Sequence, residues 1–447
     1  MPPGWKEKRS VVVTELADVP PDLIVDFDVY DPTLTMPVDR MQEKVAELAR
    51  RGPVVYSTAY GGHWVVTSYD AVHRVLREHE TFSSYPNNLV DAGQGKFIPL
   101  ELDPPEHTLY RHALQPLFSP SRIKVLEQGI RRTVNELIDG FAARGHCEYV
   151  AEFAHQLPTR VFLELLGWPL SDASMFAEAT EILLNGRPGD TPEQAVGSRT
   201  EAAMSLFGYF QRMVDERRGA PADSDDVTAQ VMQAMVTADG AQRPLDDDEL
   251  RRVFLLLLIG GLHTVRGSLC WALMHLSAHP QERKLLVDDP GLIPNAVEEV
   301  LRYEAAVSAG RRVRHDTELG GVALREGDQL LVMLCAANRD GEQFDGPDEL
   351  RINRTPNRHL SFGSGPHRCI GSHLGRIELR IALEEIHRRI PDYALDPADP
   401  PVILPSQVRG FQRMGITFGP ERETPGNAQN AQNTPGNVDV EVTEVQV

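Results

Sequence analysis

The sequence predicts a mainly helical fold with a smaller β-rich part, built around one long buried helix. Three observations predict it. The first is the stretch "DDDELRRVFLLLLIGGLHTVRGSLCWALMHLSAH", which starts on acids near Asp246 and runs without a proline to Pro280. The acids supply an N-cap and suit the positive helix end. At ~1.5 Å per residue the helix spans roughly 50 Å, and its apolar belt around Leu255–Leu258 calls for burial on nearly all sides. The second is a set of apolar faces at three- and four-residue steps from residue 119 onward. The third is the grouping of strand-like β-branched pieces in the N-terminal part and in a stretch well after the long helix.

In chain order, "PVVYSTAYGGHWVVTS" reads as a hairpin turning at Gly61-Gly62, and "SYDAVHRVLREHETF" as a helix. Ser119 can N-cap a helix with Pro120 in its first position. Ile123, Leu126, Ile130, Val134, Leu137 and Phe141 then give that helix one apolar face. "LPTRVFLELLGWP" is a buried helix stopped by Gly167 and Pro169. After the long helix, "LGGVALREGDQLLVMLCAAN" reads as a hairpin, and a last helix follows Cys369. No Pro/Gly-rich linker splits residues 1–419, so one domain is expected. From 420 to 447, "TPGNAQNAQNTPGN" and its neighbours are low-complexity, with no apolar period, and are expected to be disordered.

Composition narrows the function. The chain has 447 residues, 41% hydrophobic and 25% charged, with net charge −20 and pI near 5.2. Such an acidic chain does not bind nucleic acid by bulk electrostatics. The four cysteines, Cys147, Cys270, Cys335 and Cys369, form neither a C-x-x-C pair nor a disulfide framework, so a reducing cytoplasm is expected. No wholly apolar run reaches the ~18 residues of a membrane span, and "MPPGWKEKRS" lacks the apolar core of a secretory signal.

The stretch that carries chemistry is "SFGSGPHRCIG", Ser361 to Gly371. Gly363, Gly365 and Gly371 let the backbone turn tightly beside something flat and large. Backbone N–H groups can point at the sulfur, His367 and Arg368 add positive charge that favours thiolate, and Phe362 can shield the sulfur. The following helix puts its positive end at Cys369. One thiolate alone makes no tetrahedral zinc site, but it can be the single axial ligand of haem iron. A lone cysteine is otherwise a buried inert thiol, the reading given to Cys147, Cys270 and Cys335.

"FGSGPHRCIG" resembles the haem-binding signature of the cytochrome P-450 haem-thiolate monooxygenases, and further motifs occur in that family's order. "EEVLR" is similar to its E-x-x-R helix, giving Glu299 and Arg302 one turn apart, and Arg354 in "LRINR" matches the arginine that completes the triad. "PPEHTLYR" resembles the H-x-x-x-R helix, so His107 and Arg111 are implied propionate contacts, with arginine's fork suited to a carboxylate. "AGRRVRHDTELGG" implies Arg311 as a second propionate arginine, with Arg312 the fallback, and His367 matches another propionate contact. The resemblance covers roughly residues 20 to 419 and lies with the soluble bacterial class typified by the camphor monooxygenase. It implies a triangular helical prism around haem b, with Cys369 as the iron ligand and O2 as co-substrate.

On the oxygen side, "LIGGLHTVRG" is implied to cross the haem face. Gly260 and Gly261 would loosen the helix there, and Thr264 would hydrogen-bond the bound dioxygen. The family usually has an acid before this threonine. Here His263 takes that place, either as a proton relay titrating near neutrality or as a cap turned to a neighbouring backbone group. The camphor enzyme's ketone-binding tyrosine is matched by Gly95, so camphor is not the expected substrate. The implied pocket comprises Gly95, Phe97, Leu256, Ile259, Gly260 and Val307, mostly apolar, and so suits a small to medium apolar, terpenoid-like substrate.

No nicotinamide or flavin fingerprint occurs, so electrons are expected from a separate ferredoxin and its NAD(P)H-dependent reductase, docking near Arg111, His112 and Arg368. A monomer with no membrane or nucleic-acid partner is expected. Two other readings compete. A peroxide-driven enzyme is one, because the relay acid is missing, although retention of Thr264 argues against it. A haem-binding sensor without turnover is the other, although it would not need Thr264 and the glycine pair.

Overall fold

The computed structural model describes residues 14–89, 96–187, 189–219, 226–238 and 240–421. Gly95 and the tail beyond 421 lie outside them.

The central helix runs from Asp247 to Ala278, 32 residues, and is unbroken through Gly260 and Gly261. It starts where the acids predict. Asp246 accepts from Glu249 N at 2.9 Å while the Glu249 carboxylate accepts from Asp246 N at 2.7 Å, a complete capping box. By length and composition alone this helix is apolar enough to cross a membrane, which the search for wholly apolar runs missed. However, 72% of its apolar window is buried inside the protein, as in a core helix. Around it pack Gln156–Leu166, Ile293–Tyr303, Ser372–Arg389 and the long helix Pro192–Gly219. They enclose one hydrophobic cluster that includes Phe162, Phe254, Leu258, Leu269 and Trp271.

A second cluster lies on a six-stranded sheet. Its strand order is Ile24–Val25, Val54–Ser57, His63–Val66, Gln329–Met333, Ser308–Val313 and Phe82–Ser83. The predicted N-terminal hairpin is present, with Val54–Ser57 antiparallel to His63–Val66, and the next helix is Tyr69–Arg77. Gly310 admits a close approach: its N–H donates to Asn87 O at 2.8 Å, and a Cβ there would sit 2.3 Å from that oxygen.

Three expectations change. The stretch from Leu319 is not a hairpin with itself. Val322–Leu324 instead pairs back onto Thr317–Leu319, and Gln329–Met333 enters the main sheet between His63–Val66 and Ser308–Val313. Alternation of apolar residues fixed the strands, but the partner was set by burial of Leu330–Val332 on both faces, which local sequence does not reveal. The helix from Ser119 is two pieces, Pro120–Lys124 and Glu127–Asp139, and Phe141 lies beyond it. Ser119 takes the N-cap position with Pro120 behind it, but its hydroxyl caps no backbone amide. Short strand pairs after residue 119, such as Met235–Ala238 with Ala241–Pro244, also escaped the pattern reading.

Glu249 also accepts from Tyr110 Oη at 2.6 Å and from both Arg243 nitrogens at 2.7 Å, so the cap ties the central helix to its neighbours. Asp246→Ala should lower stability by about 1 kcal/mol. Glu249→Ala should cost more, because it strips partners from Tyr110 and Arg243 as well. Urea titration of the two variants checks both the size and the order.

Candidate active site

The cysteine loop is shaped by its glycines and pinned from behind. Cys369 N donates to Phe362 O at 2.8 Å, closing the loop on itself. Gly365 has φ +70°, and a Cβ there would meet Leu76 O at 2.6 Å, so only glycine lets the loop lie against the end of helix Tyr69–Arg77. Gly371 needs no such freedom: its φ is −82°, it caps Ser372–Arg389, and a Cβ there would stand 4.0 Å from the Cys369 sulfur. Cys369 is exposed to solvent although many protein atoms surround its sulfur. Burial raises its thiol above the ordinary value. The Gly371 N–H, Arg111, Arg376 and Arg368 pull the other way without prevailing. The loop therefore supplies a thiol poised for an ionic partner rather than a free thiolate, and metal binding is what deprotonates such a ligand. His367 adds no charge, which corrects the expectation. Burial, then Arg311, His107 and Arg111, push it down to about 2, so it is neutral.

Around the loop, two histidines and two arginines converge from three segments: His107 and Arg111 from one helix, Arg311 from a strand and His367 from the loop itself. The rings of His107, on helix Glu106–Leu114, and His367 lie 4.1 Å apart between centroids. His107 is pushed down to about 4 by burial, then by Arg111. His107 Nδ1 and His367 Nε2 are buried without a hydrogen-bond partner. Arg311 is buried on strand Ser308–Val313, and its Nη1 donates only to Gly310 O, at 2.7 Å. Among the described residues no carboxylate pairs with it, and burial lowers it to about 10. Strand alternation turns Arg312 to the other face, which decides for Arg311. A buried guanidinium and two orphaned imidazole nitrogens call for carboxylate oxygens. Together with one thiol on a flat glycine-lined loop, this donor set fits a tetrapyrrole bearing propionates.

Behind the loop, Glu299 and Arg302 are both fully buried, as the one-turn spacing predicts. Arg302 Nε and Nη2 form a fork on Glu299, each at 2.8 Å, and Arg354 Nε donates to both oxygens at 3.1 Å. Glu299 further accepts from Arg351 N at 2.8 Å and Asn357 Nδ2 at 3.1 Å. Sequence reasoning missed the residues that connect this hub to the cysteine. Asn338 O accepts from Arg302 at 2.9 Å, while the Asn338 side chain holds Leu360 N and Ser361 Oγ, each at 2.7 Å. It also missed Glu298, which binds Arg376 at 2.6 and 2.8 Å and His359 at 3.0 Å. Arg376 in turn lies 4.3 Å over the Phe362 ring. The only signal was the doubled acid in "EEVLR", whose first member the motif ignores.

On the central helix, accessibility recurs at Leu256, Ile259, Gly260 and Thr264, a single stripe at three- and four-residue steps. Leu256 and Ile259 are half-buried against the helical cluster, where Phe97 also packs, and Val307 is half-buried at the margin of the sheet cluster. The two glycines divide their work. Gly260 faces open space, whereas a Cβ on Gly261 would strike Phe162 at 2.6 Å. The expected loosening is absent: the helix stays regular, and Thr264 Oγ1 donates to Gly260 O at 2.9 Å. His263 is buried on another side, with Nδ1 3.9 Å from Glu181 Oε2. Burial, then Arg266, pushes it down to about 3, so it is neutral and does not titrate near neutrality. It caps no backbone group that the structure records.

Two outcomes follow from this geometry. Glu299→Ala leaves Arg302 buried without its counter-charge and should cost about 3–5 kcal/mol. Denaturant unfolding and the yield of haem-loaded protein check it. Glu298 behaves differently with pH. Burial would raise its carboxyl, but the Arg376 fork and His359 outweigh this and hold it at about 2, below the ordinary 4.5. The pair therefore stabilises fully above pH about 4.5 and fades as pH falls toward 2. Glu298→Gln should lower Tm at pH 7, with the gap to the parent narrowing below pH about 4.5 and closing only as pH falls toward 2.

Comparison with known proteins agrees with this reading. A family model described as Cytochrome P450 matches residues 192–287 and 291–391. A relative named probable cytochrome P450 127A1, from Sinorhizobium fredii, is 32% identical over 92% of this chain and 99% of its own length. The steroid C26-monooxygenase of Mycolicibacterium smegmatis is 32% identical over 79% of this chain and 87% of its own. The crystal structure of cytochrome P450 CYP101C1 superposes with a TM-score of 0.80 at 30% identity, over 91% of this chain and all of that one. A glycine-shaped cysteine loop, a buried glutamate–arginine hub and this overall likeness have one common source: the chain belongs to the cytochrome P450 family and is a monooxygenase of that family.

Proposed function

We propose that this chain is a haem-thiolate monooxygenase that inserts one atom of O2 into an unactivated C–H bond of a small to medium apolar, terpenoid-like molecule, with electrons from a ferredoxin. The observation that carries it is the meeting of one exposed thiol with Arg311, Arg111, His107 and His367, none of which has a hydrogen-bonded or ion-paired carboxylate among the described residues.

Cys369 is the iron ligand. Arg311, Arg111, His107 and His367 take the propionates. When bound, haem b supplies the activation of O2, with thiolate donation favouring O–O cleavage. The protein's own residues do the rest. The Phe362 carbonyl and the Gly371 N–H hold the cysteine backbone and sulfur in place. Arg376 covers the ring of Phe362, whose carbonyl holds Cys369 N. Thr264 holds its hydroxyl on Gly260 O, so its lone pairs face the accessible stripe. Phe97, Leu256, Ile259 and Val307 offer the substrate apolar surface and exclude water. The half-burial of Leu256, Ile259 and Val307 supports an apolar ligand with few polar handles. Arg77, His112 and Arg368 are exposed near the cysteine loop and support docking of an acidic electron carrier.

The reduced, CO-bound protein should absorb at the thiolate-ligated position, and Cys369→Ala should lose that spectrum. Retention would mean another ligand holds the iron. Product from terpenoids with a surrogate ferredoxin pair, and none with H2O2 alone, separates this reading from a peroxide-driven enzyme. No product by either route would indicate a sensor.

A further inference from the structure

The acid missing before Thr264 has a candidate on another helix. Glu181, on helix Ala173–Asn185, reaches the central helix beside His263. Its Oε2 lies 2.8 Å from Arg266 Nη1 and 3.9 Å from His263 Nδ1, and its Oε1 accepts from Asn185 Nδ2 at 2.7 Å. The Glu181 side chain is 34% exposed, while His263 and Arg266 are 8% and 9% exposed. The carboxylate thus touches water at one end and a buried imidazole at the other, and that imidazole adjoins the hydroxyl of the open stripe in sequence.

We propose that Glu181, held by Arg266 and Asn185, is the solvent-facing carboxylate of the proton route to Thr264, and that it acts through His263. The inference rests on the monooxygenase reading and names the proton entry of that site. At 3.9 Å the two groups meet through one water or a small rotation. A proton from solvent settles on Glu181 and passes to Nδ1 of His263 as Nε2 releases its own to a water, which carries it toward Thr264. Glu181 is then a carboxylate again. One proton enters, one leaves, and nothing is oxidised or reduced.

The ionisable groups around His263 are Arg266 on its own helix, Glu181, and His155 just before helix Gln156–Leu166. Arg266 and burial keep the imidazole neutral, which suits exchange between tautomers better than storage of charge. Burial would raise Glu181, but Arg266 and His263 outweigh it and keep it ionised near neutrality. Neither group changes charge between pH 6 and 8, so a proton-limited rate should be flat there.

The test compares Glu181→Gln, Glu181→Asp and His263→Ala in the haem-loaded protein, each checked for CO spectrum and Tm. Two readouts are used. The first is product formed per NAD(P)H and its solvent deuterium isotope effect. The second, independent of turnover, is the 15N spectrum of labelled histidine in the resting protein, with the His263 signals assigned by their loss in His263→Ala. Glu181→Gln should lower coupling about tenfold, raise the isotope effect, leave substrate affinity within twofold and shift the His263 ring nitrogens. Glu181→Asp should restore part of the coupling. If Glu181→Gln couples like the parent while His263→Ala does not, Glu181 is only the counter-ion of Arg266 and the proposal falls. Unmoved His263 nitrogen signals in Glu181→Gln overturn it too. A chain that loads haem but yields no product with any carrier refutes the monooxygenase reading, and the 15N comparison still decides whether Glu181 and His263 exchange protons.

Discussion

The site depends on one carboxylate that never meets water. Glu299 is fully buried and satisfied by Arg302, Arg354, Arg351 N and Asn357. Two cations on one carboxylate in a dry interior are costly to assemble and gain little over an apolar core in net stability. Their use is geometric. The Arg302 fork spends its remaining donors on the carbonyls of Asn338, Pro347 and Glu349. The irregular chain from 345 to 357 is thereby fixed without secondary structure of its own. Asn338 passes the constraint to Leu360 and Ser361, and Phe362 O closes on Cys369 N. The sulfur is located by hydrogen bonds traceable to Glu299.

Electrostatics on the two sides of the central helix are arranged oppositely. Near Cys369 the protein gathers cationic or neutral groups, and among the described residues no carboxylate pairs with Arg311, on which Asp103 acts only at a distance. The deficit selects an anionic ligand and costs stability until one is present. Around His263 the charges balance internally through Arg266 and Glu181. That cluster needs no ligand to balance its charge, although Arg266 Nε is buried without a hydrogen-bond partner.

Much of this was legible in the sequence because it is local. The capping acids, the glycine stop after Leu166, the one-turn Glu299–Arg302 pair and the cysteine loop each sit within a few residues. What was not legible depends on distant partners. Gln329–Met333 is legible as a strand but not its partners, since nothing in the four apolar residues Leu330–Met333 names a neighbour. For His263 the sequence leaves a relay titrating near neutrality and a cap both open, and burial contributed by other helices removes titration near neutrality. Asn338, Glu298 and Arg376 carry no motif, and their roles appear only once the loop of Cys369 is folded against them.

The adjacent glycines of the central helix show how little room the fold leaves for drift. Gly261 is a packing residue: Phe162 occupies the space a side chain would need. Gly260 has no such neighbour, so its lack of a side chain serves the open stripe and not the core. A helix that is regular at both positions still differs by ~100° in what they face. The same rotation separates Thr264 from His263. Thr264 shares the stripe with Gly260, while His263 is turned into protein toward Glu181. A relay through His263 must therefore pass around the helix by way of water, from its buried flank to its accessible one, and the open space at Gly260 leaves room on the accessible flank.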